Sequence, residues 1–207
     1  LTNNELESLI LDIKQENVNG INITVPFKNT VIPFLDELSD EAKKTQSVNT
    51  VYLKNRKVIG HNTDIEGFKN AIKKINFNFN NKKIFILGAG GVVPSLIYAS
   101  IKMGSSEIMV SNRTKENANK VKKIFNNIKL IEWGEIPDFD VIINATSLGL
   151  NHNDKIILDF GCGGGVLLNN LVGKKKIGVE VNDSACLTEA LKSNKRILLK
   201  RVGLFAD

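Results

Sequence analysis

Two side chains in the first third of the chain have the chemistry to move a proton between them. Lys28 follows the alternating run "NITVPF", and Asp64 lies in "GHNTDIEGF", just ahead of a helix-like segment. An ammonium and a carboxylate within hydrogen-bond reach can hold an alcohol or carbonyl oxygen and pass it a proton. Spacing along the chain does not by itself bring them together. A lone lysine is commonly a solvated surface group, and an aspartate in "NTD" commonly caps a helix.

A second constellation is "ILGAGGVV", where Gly88, Gly90 and Gly91 close a turn between an apolar run and a helical one. Small residues there let the backbone approach a pyrophosphate, whose charge the following helix N-terminus favours. The next apolar run ends in "VSNRTK", with Asn112, Arg113, Thr114 and Lys115. Sites selective for NAD place a carboxylate at that point to hold the ribose 2'-hydroxyl. A guanidinium and a hydroxyl suit a 2'-phosphate, which a carboxylate would repel, so NADP is the expected cofactor. The alternative is a polar loop with an ordinary surface arginine. A second glycine turn, "ILDFGCGGGVLL" from Ile157 to Leu168, has a different pattern and calls for its own account.

These groups need elements to hold them, and 207 residues suffice for one large domain or two small ones. With 42% hydrophobic and 24% charged residues the composition is that of an ordinary globular protein. No apolar run approaches the roughly 18 residues of a membrane span. The net charge of +6 comes from scattered lysines, among them Lys73, Lys74, Lys82, Lys83 and Lys174 to Lys176. No basic stripe interleaves with aromatics, which argues against nucleic acid. Cys162 and Cys186 show neither metal nor disulfide spacing, so a cytoplasmic location and no bound metal are expected. The expected partner is a small-molecule substrate, with neither nucleic acid nor membrane, and with a homodimer as the open assembly.

Along the chain, "TNNELESLILDI" predicts a helix, with Thr2 and Glu5 at capping-box spacing and Leu6, Leu9, Ile10 and Ile13 on one face. Opening on such a helix without a methionine, the chain reads as a fragment. "GINITVPF" predicts a strand stopped at Pro26, "TVIPFLDEL" and "DEAKKTQ" short helical pieces, and "TVYL" and "KVIG" a hairpin around "KNR". "IEGFKNAIKKI" predicts a helix, and the Asn-rich "NFNFNNKK" a domain boundary, giving domains at 1–75 and 82–207. From Lys82 strand and helix alternate. "KIFILG", "EIMVSN", "IKLIEW", "FDVIINATS", "KIILDFG", "KKIGVEV" and "RILLKRV" are the strands, and the expected fold is α/β with a doubly wound parallel sheet.

"NITVPFK", "SVNTV", "GHNTDIEGF", "ILGAGGVVPS", "SNRT" and "NATSLGL" stand in the order and spacing of shikimate dehydrogenase, and from Gly20 to about Phe160 the chain resembles that family. The resemblance implies a substrate domain, here partial, joined to an NADP-binding Rossmann domain. It implies reversible, NADPH-dependent reduction of 3-dehydroshikimate to shikimate, an oxidoreductase step of chorismate and aromatic amino-acid biosynthesis. It implies that Lys28 is catalytic with Asp64 its partner, and that Thr24, Asn49 and Asp64 hold substrate hydroxyls. Gly88, Ala89, Gly90, Gly91 and Val92 would form the pyrophosphate loop and Asn112 to Lys115 the 2'-phosphate clamp. Thr146 and Ser147 would meet the cofactor at the fourth strand.

Two departures qualify this. The family's Ser-x-Ser carboxylate anchor is absent, and no tyrosine follows Tyr98 and no glutamine follows Gln46. Little or no turnover is therefore expected of residues 1–207 alone. "LDFGCGGG" followed by "GVEVN" resembles instead the opening of a class I S-adenosylmethionine-dependent methyltransferase. There Asp159, Gly161, Gly163 and Gly165 would surround the amino-acid part of the cofactor and Glu180 take the ribose hydroxyls. A truncated or chimeric chain is expected, with a methyltransferase fragment or an inactive nucleotide-binding module as the alternatives to a dehydrogenase.

Overall fold

The computed structural model describes residues 2–146 and two further strands, Lys176–Val179 and Arg196–Lys200. Helix α1 (Asn3–Lys14) begins where its first turn is satisfied from both sides. Thr2 Oγ1 accepts the Glu5 N–H at 3.3 Å, and the Glu5 carboxylate accepts the Thr2 N–H at 2.6 Å. This is the reciprocal cap that the spacing predicts. Leu6, Ile10 and Ile13 are buried along one stripe, while Leu11 faces outward.

That stripe joins Ile23, Val31, Val48, Val51 and Val58 in one core. The sheet beside it has the order β1 (Gly20–Asn22), β3 (Thr50–Lys54), β4 (Lys57–His61), β2 (Glu37–Leu38). The central pair is the expected hairpin, with Val51 opposite Gly60 and Tyr52 opposite Ile59. Its turn is tighter than "KNR". Only Asn55 and Arg56 lie outside the strands, both with positive φ (51° and 62°), as a two-residue loop matched to strand twist requires.

The strand expected over Gly20 to Phe27 is only three residues long. After Asn22 the Ile23 N–H bonds the Asn49 carbonyl, and the Phe27 N–H closes a turn on the Thr24 carbonyl around a cis Val25–Pro26 peptide. "TVIPFLDEL" is helical only at the single 3-10 turn Ile32–Phe34, and its end pairs parallel to β4 as β2. Helices α2 (Asp40–Thr45) and α3 (Asp64–Lys74) fall where the pattern places them.

The second sheet is parallel, ordered β7 (Lys129–Leu130), β6 (Glu107–Ser111), β5 (Lys83–Leu87), β8 (Val141–Asn144), β10 (Arg196–Lys200), β9 (Lys176–Val179). Helices α4 (Val93–Lys102) and α5 (Lys115–Ile124) follow β5 and β6. β5 and β8 are buried nearly throughout, which explains their continuous apolar runs. Phe85, Leu87, Met109, Phe139 and Ile142 form a core beside them, with the Phe85 and Phe139 rings 5.6 Å apart between centroids. The strand expected at "IKLIEW" is confined to two residues, and the last two strands lie in reverse of their chain order. The strand expected at "KIILDFG" lies outside the described residues.

By contacts the chain divides into one unit of Leu1–Phe77 with Pro94–Ala99 and another of Asn78–Val93 with Ser100–Asp207. No helix among the described residues is long and apolar enough to cross a membrane. Nor do three or more His, Cys, Asp or Glu gather there in a way that could hold a metal ion.

Candidate active site

In the first unit the fold brings Lys28 and Asp64 together. Lys28 lies in the loop beyond β1, held at its backbone by the Val48 N–H on its carbonyl at 2.8 Å. Asp64 is the first residue of α3. Lys28 Nζ donates to Asp64 Oδ2 at 2.7 Å, with the two side chains only 12% and 15% exposed. Screening by water is weak at that depth, and a charge-assisted bond of this kind contributes about 1.5–3 kcal/mol. One of the three ammonium hydrogens is used there. The Lys28 head makes no other bond among the described residues, so two hydrogens can meet a ligand oxygen.

Asp64 is not the helix cap that "NTD" suggests. Thr63 is the N-cap residue, its backbone is already helical (φ −88°, ψ −12°), and its hydroxyl caps nothing. The Asp64 carboxylate is thereby left for Lys28 at one oxygen and for Asn49 at the other, where Nδ2 donates at 2.9 Å. Asn49 also donates to Thr63 Oγ1 at 2.8 Å, and its Oδ1 accepts the Thr63 N–H and the Thr50 hydroxyl. Both its N–H groups and both carbonyl lone pairs are committed. In this arrangement Asn49 orients Asp64 and could engage a ligand only by giving up one of those bonds. Thr24 is exposed in the turn four residues before Lys28, its carbonyl holding Phe27.

Sequence reasoning missed two members of this cluster. Thr63 joins it through Asn49, and Asn62 through its Oδ1, which accepts the Asp64 N–H at 3.0 Å. Both lie in the quoted "GHNTD", but a buried asparagine there has no periodic signal to mark it.

In the second unit the sheet order reverses direction between β5 and β8, and it is outside the carboxyl ends of such a pair that doubly wound sheets bind ligands. Gly88 ends β5 there at φ 111°, its N–H bonded to the Ser111 carbonyl. A Cβ on Gly88 would stand 2.8 Å from the Ala145 carbonyl group just past β8. No other residue fits. Gly90 differs: a Cβ on it would meet nothing within 4 Å. The chain itself does not demand glycine there, whereas a phosphate approaching the backbone would. Ala89, Gly91 and Val92 complete the turn into α4, and the Val93 N–H bonds the Gly90 carbonyl at 3.0 Å.

Past β6, the Asn112 amide donates to the Thr114 carbonyl at 2.8 Å, and Arg113 is exposed. Thr114 is the N-cap of α5, yet its hydroxyl makes no capping bond, which leaves it available at a helix N-terminus suited to an anion. Lys115, expected at the same clamp, is paired with Glu132 at 2.8 Å, and that hydrogen bond raises its pKa. Thr146 bonds buried Asn144 Oδ1 through both its N–H and its hydroxyl. Ser147, and the residues Asp159, Gly161, Gly163, Gly165 and Glu180, lie outside the described residues. The glycine turn, the guanidinium and the unused hydroxyl together form a donor set that fits a dinucleotide carrying a 2'-phosphate.

The comparisons bear on both units. Residues 1–51 match the family model for the shikimate dehydrogenase substrate binding domain, and residues 69–153 that for shikimate / quinate 5-dehydrogenase. The chain is 54% identical to the shikimate dehydrogenase (NADP(+)) of Pelagibacter ubique over 160 residues, covering 77% of this chain and 60% of the relative. It spans about half the length of other curated relatives, such as that of Caldicellulosiruptor saccharolyticus (52%). A crystal structure of shikimate dehydrogenase from Aquifex aeolicus matches 96% of this chain and 72% of its own at 32% identity and a TM-score of 0.74. The shikimate 5-dehydrogenase of Thermus thermophilus, in complex with NADP(H) and shikimate, matches 70% of this chain and 54% of its own at 29% identity and a TM-score of 0.62.

Proposed function

Since the chain belongs to the shikimate dehydrogenase family, we propose that it serves the NADPH-dependent, reversible reduction of 3-dehydroshikimate to shikimate. The single observation that carries this reading is the Lys28–Asp64 pair, two mostly buried charges held 2.7 Å apart with ammonium hydrogens to spare.

Bound NADPH supplies the hydride. What this chain supplies is a proton and a binding frame. Lys28 gives a proton to the carbonyl oxygen as that oxygen gains charge, and recovers one in the reverse direction. Asp64 holds Lys28 in place and accepts a hydrogen bond from a substrate hydroxyl, with Thr24 and Asn49 completing the set of hydroxyl ligands. Gly88 to Val92 take the pyrophosphate of the cofactor. Arg113 and Thr114, with Asn112 and Lys115 beside them, take its 2'-phosphate, and Thr146 and Ser147 meet the cofactor beyond β8. Lys115 reaches the phosphate by leaving Glu132, an exposed pairing that contributes little and is easily exchanged. In this reading the domains run over 1–75 and 82–207, the protein acts in the cytoplasm, and its partners are small molecules, with a homodimer as the assembly.

Calorimetric titration tests the reading. NADPH should bind clearly tighter than NADH, and shikimate should bind the wild type and not Lys28→Ala. Equal binding of the two cofactors, or shikimate binding indifferent to Lys28, would overturn it. A second reading applies to 157–207 alone, which lies past the family-model matches at 1–51 and 69–153. The methyltransferase-like "LDFGCGGG" and Glu180 would there hold S-adenosylmethionine. A heat of binding with that ligand supports this reading, and none removes it.

A further inference from the structure

Asn62 is 1% exposed and sits between the Lys28–Asp64 pair and a set of buried hydroxyls. Its two Nδ2 hydrogens face three oxygens: Thr45 Oγ1 at 3.1 Å, the Ser47 carbonyl at 2.9 Å and Ser95 Oγ at 2.9 Å. Thr45, Ser47 and Ser95 are themselves fully buried. Its Oδ1 accepts the Asp64 N–H at 3.0 Å. The orientation of the amide is thus fixed. Turned over, its oxygen would face the Ser47 carbonyl and its NH2 the Asp64 N–H, acceptor on acceptor and donor on donor.

This bond takes over a capping role. The first N–H of a helix lacks an intrahelical partner, and an Asp near the start commonly turns its carboxylate back to supply one. Here the Asp64 N–H is already satisfied by the side chain two residues earlier, and Thr63 caps nothing. The carboxylate is released to meet Lys28 and Asn49. We infer that Asn62 is a positioning residue for the Lys28–Asp64 pair, anchoring the first turn of α3 to the buried Thr45–Ser47–Ser95 cluster so that the Asp64 carboxylate faces Lys28. The inference rests on the reading of that pair as the proton-passing groups.

The test uses the full chain and a readout independent of turnover: brief acetylation of lysines with a soluble anhydride, followed by peptide mapping. Lys28 is compared with the exposed Lys43 and Lys74 of the same unit. Asp64→Asn, which breaks the pair directly, sets the full scale, an increase in Lys28 labelling of about tenfold for loss of a charge-assisted bond. Asn62→Ala should produce most of that increase with Lys43 and Lys74 unchanged. Asn62→Ser, whose hydroxyl can still accept the Asp64 N–H, should restore most of the protection. A role in packing alone predicts otherwise: Lys28 stays protected in Asn62→Ala, or all three lysines become reactive together and remain so in Asn62→Ser. Either result overturns the inference. Shikimate oxidation is measured alongside. If the wild type turns over, Asn62→Ala should lose kcat with little change in KM for NADP. If it does not, as is expected of residues 1–207 alone, NADPH and shikimate binding test the functional reading while the labelling still decides the role of Asn62.

Discussion

Replacing Asp64 with Asn keeps the size and shape of the side chain and removes its charge. In the native arrangement Oδ2 accepts from Lys28 at 2.7 Å and Oδ1 from Asn49 at 2.9 Å. The amide can still accept from Asn49, but its NH2 then faces an ammonium, so the Lys28 bond is lost. A charge-assisted bond contributes about 1.5–3 kcal/mol, and a fully buried pair broken on one side costs about 3–5 kcal/mol. With the two side chains 12% and 15% exposed, the lower range governs, and about 2–3 kcal/mol is expected. If Lys28 passes the proton, that loss falls on the chemical step and lowers kcat for shikimate oxidation by about 30- to 150-fold. The assay is NADPH absorbance at saturating shikimate, at enzyme concentrations high enough to detect slow turnover. A double-mutant cycle with Lys28→Ala locates the effect. Once Lys28 is gone, Asp64→Asn should cost much less than it does alone. A kcat within about twofold of wild type, or fully additive losses across the cycle, would refute the pairing as the working unit.

Three further expectations follow from the second unit and from the edge of the first. Arg113→Ala should weaken NADPH binding by about 1.5–3 kcal/mol, the scale of a charged hydrogen bond, and leave NADH unchanged; equal losses in calorimetry would make Arg113 structural. Gly88→Ala should unfold at markedly lower denaturant, since its Cβ meets backbone at 2.8 Å, whereas Gly90→Ala should melt normally and lose NADPH affinity; normal affinity in Gly90→Ala would remove the pyrophosphate from that turn. The Asp36 carboxyl is held below its ordinary value of 3.8, first by the Val58 N–H and then by Lys14. Because the folded value is the lower one, its contribution to stability is present above the unfolded carboxyl's titration and is lost as the pH falls through the folded value. The urea midpoints of wild type and Asp36→Asn should therefore converge as the pH drops below about 4; a constant gap would show that Asp36 is not the cause.

The large features are legible in the sequence because they rest on periodic apolar patterns. The buried runs of β5, β6 and β8 and the Thr2–Glu5 cap have local causes, and each is where its pattern puts it. The short edges are less legible. β2 is two residues long, too short to alternate, and is a strand only because β4 lies beside it. β1 ends at Asn22, ahead of the Pro26 at which its pattern stops, because the chain then turns, with the Phe27 N–H on the Thr24 carbonyl, and alternation alone does not mark that turn. In the site, residue types single out Lys28 and Asp64, but their contact depends on the fold. Local chemistry makes Asp64 a cap, and only the buried Asn62 reverses that reading. Residue type alone makes Lys115 a phosphate ligand, whereas its pairing with Glu132 comes from beyond the neighbouring end of β7, well away in sequence.

If Lys28 passes the proton in an NADP-linked oxidation of shikimate, any NADPH that forms when concentrated protein is mixed with NADP and shikimate must depend on that residue. Wild type and Lys28→Ala, followed side by side at the NADPH absorbance, separate the alternatives. The wild type should give a slow signal that requires shikimate. Lys28→Ala should lower it by about 10² or more, with NADP binding unchanged. A signal that survives the loss of Lys28, or one that appears without shikimate, would contradict the assignment.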